Sequence, residues 1–226
     1  MQICFQEHKY SAALIGHSFV AGLQQFLWND KQRAIPIPQF AAHSIKVSNL
    51  VESVSFYGER GATVTGIHQI LPNTIREDVV LLDIGTNDIV QGTPVQKIAD
   101  SITQLALRIL SLGAAIVCVL SVVPRSSGLG PITKDDFRRR AETLESALKS
   151  QFQRIPRVLF KKHKGFYEIE CNGAKIPKPT FSWSRDGIHP NRPDNSFGKK
   201  LYMNSLRSAI VASVKLLKAH QKNPLQ

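Results

Sequence analysis

Short apolar runs alternate along the chain with longer amphipathic segments. Five segments have the length and the Val, Ile and Leu content of β-strands. They cover residues 12–16, 51–58, 78–85, 114–123 and 157–162. Four segments have the periodicity or the capping residues of helices. They cover residues 19–28, 94–112, 133–152 and 196–220.

Most of the predicted strands are apolar throughout, which is typical of strands buried on both faces of a sheet. Strands of this kind, separated by helices, predict a mostly parallel five-stranded sheet between two layers of helices. This is a three-layer α/β/α sandwich of the flavodoxin-like type. Residues 29–50 and 164–185 have little periodicity and are predicted to be loops. We expect residues 1–226 to form one domain, since a chain of this length can bury a substantial core.

The composition narrows the class of protein. Apolar residues make up 42% of the chain, but no apolar run reaches the length of about 20 residues that a membrane-spanning helix requires. The N-terminal residues lack the basic and then apolar arrangement of a secretion signal. Cys4, Cys118 and Cys171 are far apart and form no CxxC motif, which favours reduced thiols and gives no support to a structural metal site. We therefore expect an intracellular, cytoplasmic protein.

Positive charge is concentrated in the second half of the chain. Residues 1–120 contain 8 Lys or Arg and 9 Asp or Glu, whereas residues 121–226 contain 21 and 8, which gives net charges of −1 and +13. Such an excess can attract nucleic acid or an anionic membrane, and the alternative is a hydrated surface that keeps the protein soluble. The predicted contact residues for a polyanion are Arg138, Arg139, Arg140, Lys161, Lys162 and Lys164. Because no aromatic residues are interleaved with them, a module that stacks single-stranded bases is not predicted.

Residues with catalytic potential follow the predicted strands at their carboxyl ends, where parallel α/β sheets bind ligands. They are Ser18 after the first strand, Gly61 after the second, Asn87 after the third, and Asp186 and His189 before the final helix. Each alone is common in turns and caps. Their conjunction at the strand ends predicts one crevice with the groups that acyl transfer needs.

Each of these residues has a predicted role. Ser18 at the start of a helix is the candidate nucleophile, because the helix dipole favours negative charge on its oxygen. His189 is the candidate base, since an imidazole can take the serine proton and return it to the leaving group. Asp186, three residues earlier, can orient that imidazole. The predicted oxyanion-hole donors are the backbone N–H groups of Ser18 and Gly61 and the side-chain amide of Asn87.

The sequence resembles the SGNH (GDSL-type) hydrolase superfamily in four blocks: Gly16-x-Ser18, Gly61, "GTND" and "DGIHPN". The residues for which that superfamily is named correspond to Ser18, Gly61, Asn87 and His189, with Asp186 as the third triad member. The resemblance implies the flavodoxin-like sandwich and a serine ester hydrolase without a metal or nucleotide cofactor. Within the superfamily, "GHSFV", "GERGATV" and "SRDGIHPN" resemble the esterase domains of first-open-reading-frame proteins of non-LTR retrotransposons.

One residue departs from the pattern of the superfamily. The usual motif is Gly-Asp-Ser, and His17 takes the middle position here. His17 is adjacent to the nucleophile, which is poor geometry for a base, so its effect would be on the positioning of Ser18. The alternative function is an SGNH-fold module of weak or absent activity whose basic half binds nucleic acid or an anionic membrane.

Three further residues have predicted surroundings. Cys118 lies in the middle of a predicted strand and is expected to be buried in the core. His163 lies within "KKHK" and is expected to belong to the basic surface. Asp83 lies inside the third predicted strand as an unusual carboxylate, and the sequence leaves open whether it faces a loop or an arginine.

Overall fold

The main sheet has five strands, all parallel, in the order β2-β1-β3-β4-β5. The computed structural model describes residues 9–28, 36–125, 132–169, 175–177 and 197–222. The strands are β1 (Tyr10–Gly16), β2 (Val51–Gly58), β3 (Val79–Asp83), β4 (Ile116–Leu120) and β5 (Val158–Lys161). The predicted parallel sheet is therefore confirmed, and β1 lies between β2 and β3.

Seven helices accompany this sheet in the described ranges. They are α1 (Ser18–Trp28), α2 (Ile37–Ser44), α3 (Val64–Ile70), α4 (Thr86–Val90), α5 (Val95–Ser111), α6 (Lys134–Phe152) and α7 (Phe197–Lys222). Thr133 caps α6 by accepting a hydrogen bond from the backbone N–H of Asp136. This cap agrees with the start predicted for that helix.

Alternate residues of the strands pack against opposite layers of helices. Ala12 and Leu14 of β1 belong to a core with α1, α2 and α7. Ala13 and Ile15 belong to the core on the other face, with α3, α4, α5 and α6. Both faces of β1 are thus buried against apolar residues. This explains why apolar residues follow one another along the strand instead of alternating with polar ones. Cys118 is fully buried in the first core, as expected.

The two segments predicted to be loops both contain secondary structure. Residues 37–44 form α2, although Pro36 and Pro38 suggest a loop. Proline is tolerated in the first helical turn because the N–H groups there have no partner within the helix. The apolar residues Ala41 and Ala42 then hold α2 against the sheet. In the second segment, β6 (Tyr167–Ile169) pairs antiparallel with β7 (Lys175–Pro177).

Candidate active site

The sheet register brings three candidate site segments to one edge. Gly16 at the end of β1 pairs with Gly58 of β2 on one side and with Asp83 of β3 on the other. Ser18 follows Gly16 by two residues, Gly61 follows Gly58 by three and Asn87 follows Asp83 by four. All three residues therefore leave the sheet from adjacent strands at the same carboxyl edge.

Two glycines allow the backbone to pack closely at this edge. A Cβ atom added to Gly16 would lie 2.2 Å from the carbonyl oxygen of Asp83 and 2.8 Å from Cγ2 of Val20. A Cβ atom added to Gly58 would lie 2.4 Å from the backbone nitrogen of Ala21. Glycine at both positions thus lets the first turn of α1 sit directly against the ends of β2 and β3.

Ser18 is the first residue of α1 and is half-buried. The first helical hydrogen bond runs from the N–H of Ala21 to the carbonyl oxygen of His17. His17 therefore takes the capping position, so capping alone does not account for the serine. Its place in the first turn of an 11-residue helix puts Ser18 at the positive end of the helix dipole.

Gly61 lies in an exposed turn with a positive φ of 76°. Apart from its two chain neighbours, no described residue has an atom within 4 Å of the place where a Cβ would stand, so this side of the turn is open to an approaching group within the described part of the chain. Thr63 caps α3 immediately afterwards by accepting a hydrogen bond from Gly66 at 3.2 Å. The cap fixes the end of the turn where α3 begins, and the backbone at Gly61 stays exposed.

Asn87 and Asp88 connect the end of β3 to the Gly61 turn. Nδ2 of Asn87 donates a 2.8 Å hydrogen bond to the carbonyl oxygen of Ala62. The carboxylate of Asp88 accepts from the backbone N–H of Val64 at 3.2 Å and 3.3 Å. An amide nitrogen carries two hydrogens, so Asn87 keeps a second donor while bonded to Ala62. The "GTND" motif and the Gly61 turn form one connected unit.

Asp88 is a largely buried carboxylate, and its surroundings alter its ionisation. Burial raises the pKa of Asp88, and the hydrogen bond from Val64 offsets part of that increase. In the structure, this carboxylate accepts the N–H of Val64, the first residue of α3.

Asp186 and His189, the predicted orienter and base, lie outside the described residues. Their segment leads in sequence directly into α7, which begins at Phe197. Their roles stay predictions from the sequence.

The sequence reasoning missed a cluster of buried polar side chains next to Ser18. Asp83 at the end of β3 lies between His17, His163 and Tyr202, and these four residues are here named the Asp83 cluster. The hydroxyl of Tyr202 donates a 2.5 Å hydrogen bond to Oδ2 of Asp83. Nε2 of His17 lies 3.6 Å from Oδ1, and Nε2 of His163 lies 3.9 Å from the same oxygen.

Aromatic contacts hold the rings of this cluster. His163 stacks on Tyr202 with ring centroids 5.5 Å apart, and His17 meets the edge of Phe19 at 4.7 Å. Two of our expectations change here. His163 is buried rather than part of the basic surface, and Asp83 faces two histidines and a tyrosine rather than a loop or an arginine. The signal in the sequence was the carboxylate at the end of an otherwise apolar strand.

The partners of Asp83 keep it ionised in spite of its burial. Burial by itself would raise the pKa of Asp83, but the two histidines and the Tyr202 hydroxyl outweigh that effect and hold it below its usual value. In turn, burial and the negative charge of Asp83 raise the pKa of Tyr202 well above the usual range. Tyr202 therefore stays protonated and remains a donor.

Arg125 is a buried charged residue that the sequence analysis did not single out. It follows β4, is 4% exposed, and its guanidinium carbon lies 4.7 Å from the ring centroid of Phe137 on α6. This contact is a cation–π interaction, which arginine forms more often than lysine does.

A cavity of about 450 Å³ lies beside these residues, between α6 and the segments that follow β4 and β5. Its lining includes Ser121, Glu142, Glu145, Lys162, His163 and Gly165. The volume is in the range of small-ligand pockets. Because residues that follow β4 and β5 line it, the cavity lies at the carboxyl edge of the sheet, but its lining residues do not include Ser18, Gly61 or Asn87.

The predicted polyanion-binding residues are partly neutralised by carboxylates. Arg138 pairs with Asp135 at 3.2 Å and Arg139 with Asp136 at 2.5 Å, both within one turn of α6. Lys162 pairs with Glu145. Arg140, Lys161 and Lys164 complete the predicted set, with Nη1 of Arg140 at 3.4 Å from the carbonyl oxygen of Thr93. Their role as a polyanion contact stays a prediction.

The described ranges contain neither a metal-binding cluster nor a membrane-spanning helix. They contain no group of three or more His, Cys, Asp and Glu side chains arranged to hold a metal ion, and the Asp83 cluster does not qualify as one. Within the same ranges, no helix combines the length and the apolar character needed to cross a membrane.

Known structures share this architecture. A GDSL-like lipase from Bacteroides thetaiotaomicron is 14% identical, with a TM-score of 0.60 over 90% of this chain and 87% of the other. An acetylxylan esterase from Geobacillus stearothermophilus is 14% identical, with a TM-score of 0.57 over 91% and 94%. The catalytic domain of a peptidoglycan O-acetyltransferase from Streptococcus pneumoniae is 15% identical, with a TM-score of 0.57 over 92% and 96%. These likenesses establish a shared fold.

Sequence comparison defines the family. A search of curated proteins finds no match to the chain. The model of the GDSL-like lipase/acylhydrolase family, however, matches residues 14–193, which include Ser18, Gly61, Asn87, Asp186 and His189. Because this match covers most of a chain that also has the parallel sheet of such hydrolases, the protein belongs to the GDSL-like lipase/acylhydrolase family.

Proposed function

We propose that the protein is a serine ester hydrolase that acts through Ser18, His189 and Asp186. The observation that carries the proposal is the register of β2, β1 and β3, which brings Gly61, Ser18 and Asn87 to one edge of the sheet. The hydrogen bond from Asn87 to the Gly61 turn supports it, because it joins two of the three oxyanion-hole segments. The family match adds the expectation of acyl-ester chemistry.

In the proposed reaction, Oγ of Ser18 attacks the carbonyl carbon of the ester while His189 accepts its proton. The negative charge that forms on the carbonyl oxygen is stabilised by the N–H groups of Ser18 and Gly61 and by the amide of Asn87. The bond to the alcohol then breaks, and His189 returns the proton to the leaving oxygen. Water, activated by His189, attacks the acyl-enzyme and releases the acid together with free Ser18.

We propose carboxylic esters with an acetyl or longer acyl group as the substrate class. Two structural neighbours, the acetylxylan esterase and the O-acetyltransferase, act on acetyl groups by name. The cavity of about 450 Å³, which is lined by His163 of the Asp83 cluster, has the volume to hold an acyl or alcohol group. The finer resemblance to retrotransposon esterase domains rests on sequence motifs and on the basic half of the chain.

The first experiment compares wild type with Ser18→Ala on p-nitrophenyl esters from acetate to octanoate. We expect kcat/KM to fall by about a thousandfold or more in the variant, since loss of the nucleophile removes the acyl-enzyme route. Ser44→Ala, which changes a half-buried serine at the end of α2, is the matched control and should hydrolyse esters at the wild-type rate. Equal turnover by Ser18→Ala and wild type would show that Ser18 is not the nucleophile.

We also propose that the protein binds a polyanion, and one observation favours the C-terminal helix as the contact. Helix α7 has 26 residues and contains no Asp or Glu. Its apolar side is buried in the core, whereas Lys200, Arg207, Lys215 and Lys222 are exposed. Since the apolar side is already packed, α7 is not available to insert into a lipid bilayer, and the phosphates of a nucleic acid suit it better.

A further inference from the structure

We propose that Asp83 is a positioning residue for the nucleophile, and that it acts by holding His17 at the corner where the chain turns from β1 into α1. The inference rests on the proposed function, because it takes Ser18 as the nucleophile.

Asp83 contacts His17 through both its backbone and its side chain. The carbonyl oxygen of Asp83 accepts the backbone N–H of His17 at 3.3 Å. Its Oδ1 lies 3.6 Å from Nε2 of the same residue. The preceding residue, Gly16, has no space for a side chain between the two strands. Asp83 on β3 therefore contacts His17, the residue immediately before Ser18, at both its main chain and its ring.

The same carboxylate joins parts of the candidate site that are far apart in sequence. Tyr202 on α7 donates to Oδ2, and His163 after β5 approaches Oδ1. Helix α7 follows the segment that carries the predicted base, and Asn87 follows Asp83 on the same strand end. A shift of Asp83 would thus alter the position of Ser18 relative to the other groups. A misplacement of about 1 Å can reduce turnover about a hundredfold.

The charge of Asp83 requires polar groups around it, because the carboxylate is buried. Within the described ranges, the titratable groups that face the carboxylate are His17 between β1 and α1, His163 after β5 and Tyr202 on α7. The side chains of Asp83 and His17 are each 1% exposed. A buried carboxylate is costly unless polar partners compensate it, and Nε2 of His17, 3.6 Å from Oδ1, is one of the polar groups that face Asp83.

The experiment uses Asp83→Asn, His17→Phe, the double variant and Tyr202→Phe. One assay measures the rate at which a fluorophosphonate probe labels Ser18. In that reaction the Oγ–P bond forms, the P–F bond breaks, fluoride leaves and the serine proton passes to the base. The other assay measures kcat and KM for p-nitrophenyl acetate.

We expect labelling and kcat to fall about tenfold to a hundredfold in Asp83→Asn and in His17→Phe, with KM within about twofold of wild type. The double variant should lose no more than either single variant, because both changes break the same contact. Tyr202→Phe removes only the hydroxyl and should lie between wild type and Asp83→Asn. It keeps the test decisive if Asp83→Asn does not fold.

Asp78→Asn is the matched control. Asp78 lies next to the opposite end of β3, where its carboxylate accepts hydrogen bonds from the N–H and the hydroxyl of Ser11 at 2.7 Å and 2.9 Å. Its loss should lower stability but leave labelling and kcat unchanged. Wild-type rates in Asp83→Asn, or fully multiplicative losses in the double variant, would overturn the positioning role while the proposed function stands. A wild-type protein that neither labels nor hydrolyses would instead overturn the proposed function, and this inference with it.

Discussion

At the scale of single residues, the corner between β1 and α1 depends on Gly16. Three different constraints meet there: the carbonyl of Asp83, the side chain of Val20, and the hydrogen bond from Glu59 to the carbonyl of Gly16 at 3.0 Å. Any side chain at this position would push β1 away from β3. Glycine at position 16 is thus required by close packing and not by an unusual backbone angle.

We therefore expect Gly16→Ala to destabilise the protein by about 3 kcal/mol or more, because its Cβ would overlap backbone atoms that cannot move aside easily. Urea unfolding followed by circular dichroism would measure this change. Gly66→Ala is the control, and we expect it to raise the free energy of unfolding instead of lowering it. Its Cβ would meet nothing closer than 3.6 Å inside α3, so it should stabilise by about 0.5–1 kcal/mol. A Gly16→Ala protein as stable as wild type would contradict the packing argument.

At the scale of elements, α7 has two functions in the structure. Its inner face carries Tyr202 and a row of apolar residues into the core, whereas its outer face is basic. Lys199 and Lys218 lie between these faces, with their ammonium groups over the rings of Phe26 and Tyr10. The charges at Arg138 and Arg139 differ from those on the outer face of α7, since each of these arginines is paired with an aspartate one turn away.

The outer face of α7 predicts salt-dependent binding to duplex DNA. We expect the fourfold variant Lys200→Gln, Arg207→Gln, Lys215→Gln and Lys222→Gln to weaken binding of a labelled duplex. The slope of log K against log salt should fall by about 3–4, since about 0.9 is lost per phosphate contact. Fluorescence anisotropy at several salt concentrations would measure it.

A second variant, Arg138→Gln with Arg139→Gln, tests the contact predicted from the sequence. Because each of these arginines is already paired with an aspartate, we expect this variant to change the slope by less than the α7 variant does. Binding to phosphatidylserine vesicles tests the alternative partner, an anionic membrane. If the wild-type protein binds these vesicles and not DNA, the partner is an anionic membrane. If the α7 variant binds both as wild type does, the helix is a solubilising surface.

At the scale of the whole molecule, the sheet has a buried ionised group at its carboxyl edge. The pKa of Asp83 is lowered by folding, so its ionised form stabilises the folded state. This contribution is fully present above the unfolded value of about 3.9 and is lost as the pH falls through the lower folded value.

The free energy of unfolding should therefore differ most between wild type and Asp83→Asn at pH 5 and above, and the difference should shrink below pH ~4. Urea unfolding at pH 3 to 6 would test this. Asp135→Asn, which changes an 81% exposed carboxylate on α6, should stay within about 0.5 kcal/mol of wild type throughout. A difference for Asp83→Asn that is constant with pH would show that folding leaves the pKa of this carboxyl unchanged, and a wild type that gains stability relative to Asp83→Asn as the pH falls would show that folding raises that pKa.

Much of the fold was predictable because it depends on local pattern. Continuous apolar runs such as the one ending at Gly16 mark strands with two buried faces, and the amphipathic period of 94–112 marks a helix that the structure places at Val95–Ser111. Helix α2 was missed because its prolines resemble loop residues while its stability comes from Ala41 and Ala42 packing against the sheet. That packing is tertiary and leaves no periodic signal in eight residues.

The candidate site divides in the same way. The sequence by itself determined the residue types and their order, because Ser18, Gly61 and Asn87 follow predicted strands closely. The strand order was decided only in three dimensions, and it placed β1 between β2 and β3 so that the three residues share one edge. The Asp83 cluster was also decided there. His17, Asp83, His163 and Tyr202 are far apart in sequence. Only the tertiary structure brings the corner after β1, the segment after β5 and helix α7 to the end of β3, where these side chains meet.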